Sequence, residues 1–221
     1  MLEVRQLSKQ YDTPAGPLTV IENVSLQLDK GKSASVMGPS GSGKSTLLYI
    51  LGALESPTSG TVAIDSQDPF RLPEKELADF RNRQIGFIFQ DHCLLPQCTV
   101  LENILAPTLV RKGEDHVNWA KELMARVGLQ HRADHYPGQL SGGEKQRAAI
   151  ARALVLKPSL VLCDEPTGNL DRENADAVAE LLLELHKSQN NILIIVTHSP
   201  DLAKRTPVRY RFEGHTLECL K

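Results

Sequence analysis

The run from Gly38 to Ser45 constrains this chain more than any other segment. It reads Gly-Pro-Ser-Gly-Ser-Gly-Lys-Ser and fits the phosphate-loop pattern GxxxxGK[ST] without a gap. A short apolar segment, 33–37, precedes it, and the following stretch, 46–54, has the composition of a helix. Glycines let backbone N–H groups point inward around phosphate oxygens, and the start of a helix adds the positive end of its dipole. The sequence therefore predicts a phosphate-binding unit made of a strand, a glycine-rich turn and a helix.

Two side chains of this segment have distinct predicted roles. Lys44 is expected to reach the β- and γ-phosphates of a nucleoside triphosphate, and Ser45 to offer its hydroxyl to Mg²⁺. The predicted nucleotide-binding residues here are Gly38, Pro39, Ser40, Gly41, Ser42, Gly43, Lys44, Ser45 and Thr46.

A second chemical feature is an apolar run, 160–163, that ends in the carboxylates Asp164 and Glu165. Ligands of open α/β sheets collect at the carboxyl ends of the strands. Asp164 is therefore predicted to hold the magnesium shell, and Glu165 to act as general base toward the attacking water. Taken alone, such a run is also compatible with an ordinary exit from a strand into a loop. The phosphate loop in the same chain favours the functional reading.

The segment 140–147 reads Leu-Ser-Gly-Gly-Glu-Lys-Gln-Arg and resembles the LSGGQ signature of the ABC ATPases. Ser141 is an N-cap type of residue, and the two glycines after it allow a close backbone approach to phosphate at a helix start. The resemblance covers the whole chain. It implies ATP as the nucleotide, bound in a homodimer in which Ser141, Gly142 and Gly143 of one subunit close over the γ-phosphate held by the other.

The same resemblance implies roles for four further residues. Tyr11 matches the aromatic that stacks on adenine, although such an aromatic is also compatible with simple packing. Gln90 matches the Q-loop glutamine, a catalytic residue and magnesium ligand. Asp171 belongs to the D-loop, and His198 matches the switch histidine that contacts the γ-phosphate and orients the water.

The periodicity along the chain predicts the fold. Residues 2–7 and 24–28 alternate between apolar and polar, as half-exposed antiparallel strands do, with a loop at 14–17 between them. Strand-like segments at 60–64, 85–89, 160–163 and 192–196, interspersed with helical patterns, predict a largely parallel sheet. A hairpin is expected around Gly214. Segments 117–127 and 142–156 are helical in composition, and 91–157 contains no strand pattern.

The fold class expected from these patterns and the resemblance is α/β. It is a P-loop NTPase, RecA-like, with a mostly parallel sheet core, an N-terminal antiparallel β subdomain and an inserted helical subdomain. A single domain over 1–221 is predicted, with 1–90 and 158–221 as the nucleotide-binding core and 91–157 as the helical subdomain that carries the signature.

Composition limits the partners. With 25 basic and 27 acidic residues the formal net charge is −2, which gives no overall field that would attract nucleic acid or acidic lipid. The longest apolar runs are far shorter than the roughly 20 residues of a membrane-spanning helix, and the N-terminus lacks the apolar region of a secretory signal. The spacing of the four cysteines favours neither zinc nor a disulfide. A cytoplasmic protein is expected, without direct membrane insertion. The resemblance implies a peripheral position at the inner membrane through integral permease subunits.

Three strings narrow the resemblance: 164–171, 87–90, and 94–96 followed by 99–103. Together they are similar to the lipoprotein-releasing, macrolide-exporting and cell-division ATPases, and lipoprotein release is the preferred interpretation. In that group the ATPase drives a permease mechanically. Leu94, Leu95 and Pro96 are predicted to form the floor of a groove for a permease helix, with core packing as the alternative for each leucine.

Two alternatives of another class remain at this stage. A soluble ABC ATPase of the DNA-repair type would need long heptad arms, which the sequence lacks. A P-loop kinase or GTPase would explain 38–45 and Asp164, but would leave 140–147 and His198 unexplained. Dimerisation that depends on nucleotide separates the second alternative from the preferred reading.

Overall fold

The computed structural model describes residues 1–111 and 115–220. The predicted ranges 91–157 and 158–221 thus include four residues, 112–114 and 221, that lie outside the described part. The strands are β1 (Leu2–Thr13), β2 (Gly16–Leu28), β3 (Ser33–Met37), β4 (Ser59–Ile64), β5 (Ile85–Ile88), β6 (Leu160–Asp164), β7 (Ile192–Val196), β8 (Val208–Glu213) and β9 (Thr216–Leu220). The helices are α1 (Lys44–Leu51), α2 (Glu74–Gln84), α3 (Val100–Leu105), α4 (Val117–Arg126), α5 (Gly142–Leu154), α6 (Arg172–Gln189) and α7 (Pro200–Ala203).

An antiparallel sheet in the order β2-β1-β4 contains the N-terminal strands. Strands β1 and β2 alternate between buried and exposed residues, which matches their sequence pattern. The loop predicted at 14–17 is shorter in the structure, because the turn occupies residues 14–15 and β2 already begins at Gly16.

One strand was assigned to the wrong sheet. The segment 60–64 was predicted in the parallel sheet, but β4 pairs antiparallel with β1, with Val62 opposite Val4 and Ile64 opposite Leu2. The physical reason lies in its burial: Val62 and Ile64 are buried while Thr61 is exposed, which is the alternation of a sheet with one covered face. Strands β3 and β7 of the central sheet are instead buried on both faces.

The central sheet has the order β5-β6-β7-β3-β8-β9. Strands β5 to β8 in this sheet run parallel, and only the hairpin strand β9 is antiparallel. Every residue of β7 is buried, as are Ser33–Val36 of β3, because helices cover both faces of the sheet. The carboxyl ends of β3, β5, β6 and β7 therefore lie along one edge of the molecule.

Helices α3, α4 and α5 lie between β5 and β6 in the chain. Their apolar side chains form one buried cluster with those of α6 and of one face of the central sheet. Two of these three helices begin with a capping box, formed by Thr99 with Glu102 and by Ser141 with Glu144. Among the helices of the described residues, none is both long and apolar enough to cross a bilayer.

Candidate active site

A cavity of about 470 Å³ opens at the edge where four parallel strands end. The loops that follow β3, β5, β6 and β7 all contribute to it, which is the usual position of a ligand site in an open α/β sheet. The lining residues are Ser40, Gly41, Lys44, Ser45, Gln90, Asp164, Glu165, Gly168, Val196 and His198. Residues predicted from four separate motifs thus share one cavity.

Lys44 is a buried cation inside the loop that follows β3. Its Nζ donates to the carbonyl oxygens of Gly38 at 2.9 Å and Pro39 at 2.7 Å, and only 6 % of the residue is exposed. Burial lowers the pKa of this ammonium, and the nearby carboxylates of Glu165 and Asp164 act in the opposite direction. The loop therefore holds a positive charge at the floor of the cavity.

The backbone of this loop passes too close to its neighbours for ordinary side chains. A Cβ at Gly38 would lie 2.3 Å from the carbonyl oxygen of Phe212. Gly43, the N-cap of α1, has φ +107°, and a Cβ there would lie 2.8 Å from the carbonyl oxygen of Val20. Glycine is required at both positions, which leaves the N–H groups at the start of α1 open to an anion.

Glu165 follows β6 in the left-handed backbone region, with φ +47°. A non-glycine residue in this region costs roughly 1–3 kcal/mol and persists only where its surroundings impose it. Here the Glu165 N–H donates to the Val196 carbonyl at 3.0 Å, and its Oε2 accepts from the backbone N–H of His198 at 3.1 Å. In this backbone conformation the Glu165 side chain lines the cavity.

The second carboxylate oxygen of Glu165 is available for chemistry. Within residues 1–111 and 115–220, Oε1 is buried and accepts no hydrogen bond, and Nε2 of His198 lies 3.4 Å from it, within ion-pair distance. A buried, unsatisfied acceptor is costly, so such an atom is a candidate for binding a reactant. A carboxylate held in this way can accept a proton from a water in the cavity.

The donor set of the cavity fits Mg²⁺. Ser45, Gln90 and Asp164 line it and offer hydroxyl, amide and carboxylate oxygens, the ligands that Mg²⁺ prefers. Across residues 1–111 and 115–220, no three His, Cys, Asp or Glu side chains form a metal site of their own. Mg²⁺ is commonly held by one or two carboxylates together with substrate phosphates, and Asp164 is the carboxylate that would serve here.

Arg152 was not predicted from the sequence. Its guanidinium, on α5, donates to the carbonyl oxygens of His92, at 2.6 Å, and of Cys93. Both of these residues have left-handed φ, +61° and +48°. Arg152 thereby fixes the segment directly after Gln90, and the available signal was an arginine within the apolar run 148–154 of a helix.

Several predicted residues do not line this cavity. Ser141 caps α5 by accepting from the N–H of Glu144 at 3.2 Å, and Asp171 caps α6 by accepting from the N–H of Asn174 at 3.0 Å. Tyr11 lies on β1 with the Nζ of Lys9 4.8 Å from its ring centre. The others outside the lining are Gly38, Pro39, Ser42, Gly43, Thr46, Gly142 and Gly143.

Gly38 and Pro39 line an adjoining cavity of about 400 Å³ that also reaches His198. The nucleotide roles of all these residues stay predictions.

The known proteins that are similar to this chain belong to one family. The model of the ABC transporter family matches residues 21–168. The chain is 55 % identical over 212 residues to a lipoprotein-releasing system ATP-binding protein, LolD 1, of Rhodopirellula baltica, with 95 % of this chain and 93 % of that protein covered. It is 49 % identical to LolD of Geobacter metallireducens, with coverage of 92 % and 91 %, and 44 % identical to LolD of Myxococcus xanthus, with coverage of 97 % and 96 %.

Solved structures are similar over the full length. The ATP-binding cassette MJ0796, in a dimeric post-hydrolysis state bound to ADP and Pi, superposes with a TM-score of 0.90 at 34 % identity. A dimeric structure of the same cassette, described as a bacterial ABC transporter cassette, gives a TM-score of 0.89 at 36 % identity. Both cover 100 % of this chain, and the chain covers 99 % of each.

Proposed function

We propose that this chain, an ATP-binding ATPase that belongs to the ABC transporter family, drives a lipoprotein-releasing complex. The cargo would leave the inner membrane toward the outer membrane. The observation that carries the ATPase chemistry is the shared cavity in which Lys44, Asp164 and Glu165 meet. The observation that favours lipoprotein release is the identity of 44–55 % to proteins named for that system.

Lys44 and the loop around it bind the phosphates. The ammonium of Lys44 and the N–H groups at the start of α1 supply positive charge to the β- and γ-phosphate oxygens. Mg²⁺, when bound, neutralises further phosphate charge, and Ser45, Asp164 and Gln90 are the residues that would hold it.

Glu165 acts as the general base. Oε2 is fixed by the His198 N–H, so Oε1 is the atom that takes the proton of the attacking water. His198 lies beside Oε1 and orients both the water and the γ-phosphate. Among residues 1–111 and 115–220, Oε1 accepts no hydrogen bond, so it can accept one from a water placed beside His198.

A second copy of the chain completes the site. Ser141, Gly142 and Gly143 do not line the cavity of their own chain, although the start of α5 has the glycines and N–H groups of an anion site. In the proposed homodimer, each signature closes over the γ-phosphate held by the other chain. The dimeric state of the MJ0796 structures supports this arrangement.

Contact with integral permease subunits is proposed for the segment after Gln90. Leu95 is 47 % exposed, whereas Leu94 packs against the apolar cluster of the helical region. Asn103 is fully buried and bonds the backbone of Leu95 at both N–H and carbonyl, which holds this loop in a fixed shape. Leu95 is therefore the better candidate for permease contact. The chain is then peripheral, on the cytoplasmic side of the inner membrane.

The proposal is tested by purifying tagged Glu165→Gln protein from its native membranes with ATP and Mg²⁺ and identifying the bound proteins by mass spectrometry. Recovery of a permease with a large extracytoplasmic domain, together with lipoproteins, is the expected result. The same type of permease with efflux or septal proteins would instead assign a macrolide-export or cell-division complex. Recovery of no membrane protein would favour a soluble ABC ATPase.

A further inference from the structure

The side chain of Asn169 joins two distant segments beside the cavity. Its Oδ1 accepts a hydrogen bond from Nε2 of Gln90 at 3.1 Å. Its Nδ2 donates to the backbone carbonyl of Gln90 and to Oδ1 of Asp91, both at 3.2 Å. One amide thus binds both the side chain and the backbone of a residue that lies 79 positions away in sequence.

These partners fix which way both amides face. A backbone carbonyl can only accept, so the Asn169 atom that bonds it must be the donor Nδ2. The opposite atom of Asn169, Oδ1, can only accept, so the Gln90 atom beside it must be the donor Nε2. Among the described residues, Oε1 of Gln90 has no hydrogen-bond partner, and it is the Gln90 side-chain atom left for the cavity shared with Ser45 and Asp164.

The adjacent glycine provides room for this arrangement. A Cβ at Gly168 would lie 3.1 Å from Nε2 of Gln90 and 3.4 Å from Cβ of Glu165. The Gln90 amide therefore lies directly over the backbone between Glu165 and Asn169. Its position depends on the loop after β6 as much as on its own strand, β5.

We propose that Asn169 is a positioning residue that presents the oxygen of Gln90, rather than its nitrogen, to Mg²⁺. The inference rests on the proposed role of Gln90 as a magnesium ligand. An amide nitrogen does not bind Mg²⁺, so a Gln90 side chain that rotates freely spends part of its time with the wrong atom toward the metal. By engaging Nε2, Asn169 removes that orientation, as residues behind metal ligands commonly do.

The test uses purified protein carrying Glu165→Gln, so that nucleotide is not turned over. Affinity for trinitrophenyl-ATP is measured with Mg²⁺ and with EDTA. The Kd in EDTA divided by the Kd in Mg²⁺ reports the contribution of the metal to binding. Asn169→Ala is expected to lower this ratio by up to about tenfold and to leave the Kd in EDTA unchanged. Asn174→Ala is the matched control, because Asn174 bonds Asp171 and makes no hydrogen bond to Gln90.

A second background separates positioning from a general structural effect. The carboxylate introduced by Gln90→Glu has two equivalent oxygens, so its orientation no longer matters and Asn169→Ala should leave the ratio unchanged there. An equal loss in both backgrounds would overturn the inference. The inference would also be overturned if Asn169→Ala left the Kd ratio unchanged while Gln90→Ala lowered it. If Gln90→Ala itself leaves the ratio unchanged, the magnesium role in the proposed function fails and the inference fails with it.

Discussion

Lys44 shows how a single residue prepares a binding site. A buried ammonium needs compensation, and here two loop carbonyls, of Gly38 and Pro39, supply it with hydrogen bonds of 2.9 and 2.7 Å. The carboxylates of Asp164 and Glu165 act on it through their charge. The cation is thus held in place by the fold itself and does not depend on a direct ion pair.

Lys44→Ala is therefore expected to abolish tight ATP binding while leaving the fold intact. Loss of a charge-assisted contact to phosphate costs about 1.5–3 kcal/mol, or roughly 10- to 150-fold in affinity. Isothermal titration with ATP and Mg²⁺ measures the effect, and thermal unfolding checks the fold. Wild-type affinity in a folded variant would contradict the assignment.

The candidate site residues were predicted from motifs, and their roles stay predictions. Lys44, Asp164 and Glu165 were predicted from local strings, and Gln90 and His198 from the resemblance to the ABC ATPases. The structure places all five in one cavity. Arg152 was missed because its partners are backbone carbonyls 59 and 60 positions away, and no local pattern encodes such a contact. The link from Asn169 to Gln90 is hidden for the same reason.

At the scale of elements, the first turn of α5 contains the predicted nucleotide-binding signature, while the rest of the helix packs in the apolar core. Its capping box joins Ser141 to Glu144, whose carboxylate also pairs with Arg132 at 2.9 Å. The hydrogen bond from the Ser141 backbone, helped by Arg132, lowers the pKa of Glu144 below its ordinary value of 4.5. The carboxylate of Glu144 therefore caps the start of α5 and pairs with Arg132 within the signature segment.

This arrangement predicts a pH dependence of stability. Because the pKa of Glu144 is lower in the folded state, its stabilisation is fully present above the unfolded value of 4.5 and is lost as the pH falls through the folded value. Glu144→Gln keeps a residue that can complete a capping box but removes the titration. In urea unfolding, the free energy of unfolding should fall less between about pH 6 and about pH 3 for the variant than for the wild type. Equal losses would refute the role given to Glu144.

The other end of α5 fixes the segment after Gln90. Arg152→Met keeps the apolar stem but removes both hydrogen bonds to the carbonyls of His92 and Cys93. Because each of the two charge-assisted bonds contributes about 1.5–3 kcal/mol, the free energy of unfolding measured in urea should fall by about 3–6 kcal/mol. Arg152→Lys retains one donor group in place of the fork and should lose less. Wild-type stability in Arg152→Met would show that the segment is held by other contacts.

The secondary-structure elements were predicted with mixed success. The strands of the phosphate-loop unit and the hairpin around Gly214 were predicted correctly because both have strong local signals. β4 was assigned to the wrong sheet, because a short strand after a helix fits a parallel crossover as well as an antiparallel partner. Its pairing with β1 depends on contacts some 60 residues apart, which periodicity alone does not encode.

At the scale of the whole molecule, two surfaces within residues 1–111 and 115–220 concern the proposed partners. One contains the signature at the start of α5, away from the cavity of the same chain. The other contains Leu95, in a loop that buried Asn103 holds rigid. The first is the surface proposed to bind a second copy of the chain, and the second is the surface proposed to bind a permease. Both proposals concern contacts that a single chain cannot make.

Leu95→Glu should weaken binding to the permease and spare basal ATP hydrolysis, because an exposed charge replaces an apolar contact away from the cavity. Leu54→Glu is the matched control, since Leu54 is 50 % exposed and Leu95 is 47 % exposed. Co-purification from native membranes measures binding. Retention of the permease by Leu95→Glu, at the level of the control, would exclude this surface.

The most direct test of the account is the rate of ATP hydrolysis by Glu165→Gln, measured together with its mass in solution with and without ATP. Hydrolysis should fall by a factor of about 10² to 10⁴, as expected for loss of a general base, while ATP should convert the monomer into a stable dimer. A variant that hydrolyses ATP at the wild-type rate would contradict the role of Glu165. A variant that binds ATP but stays monomeric would contradict the shared site.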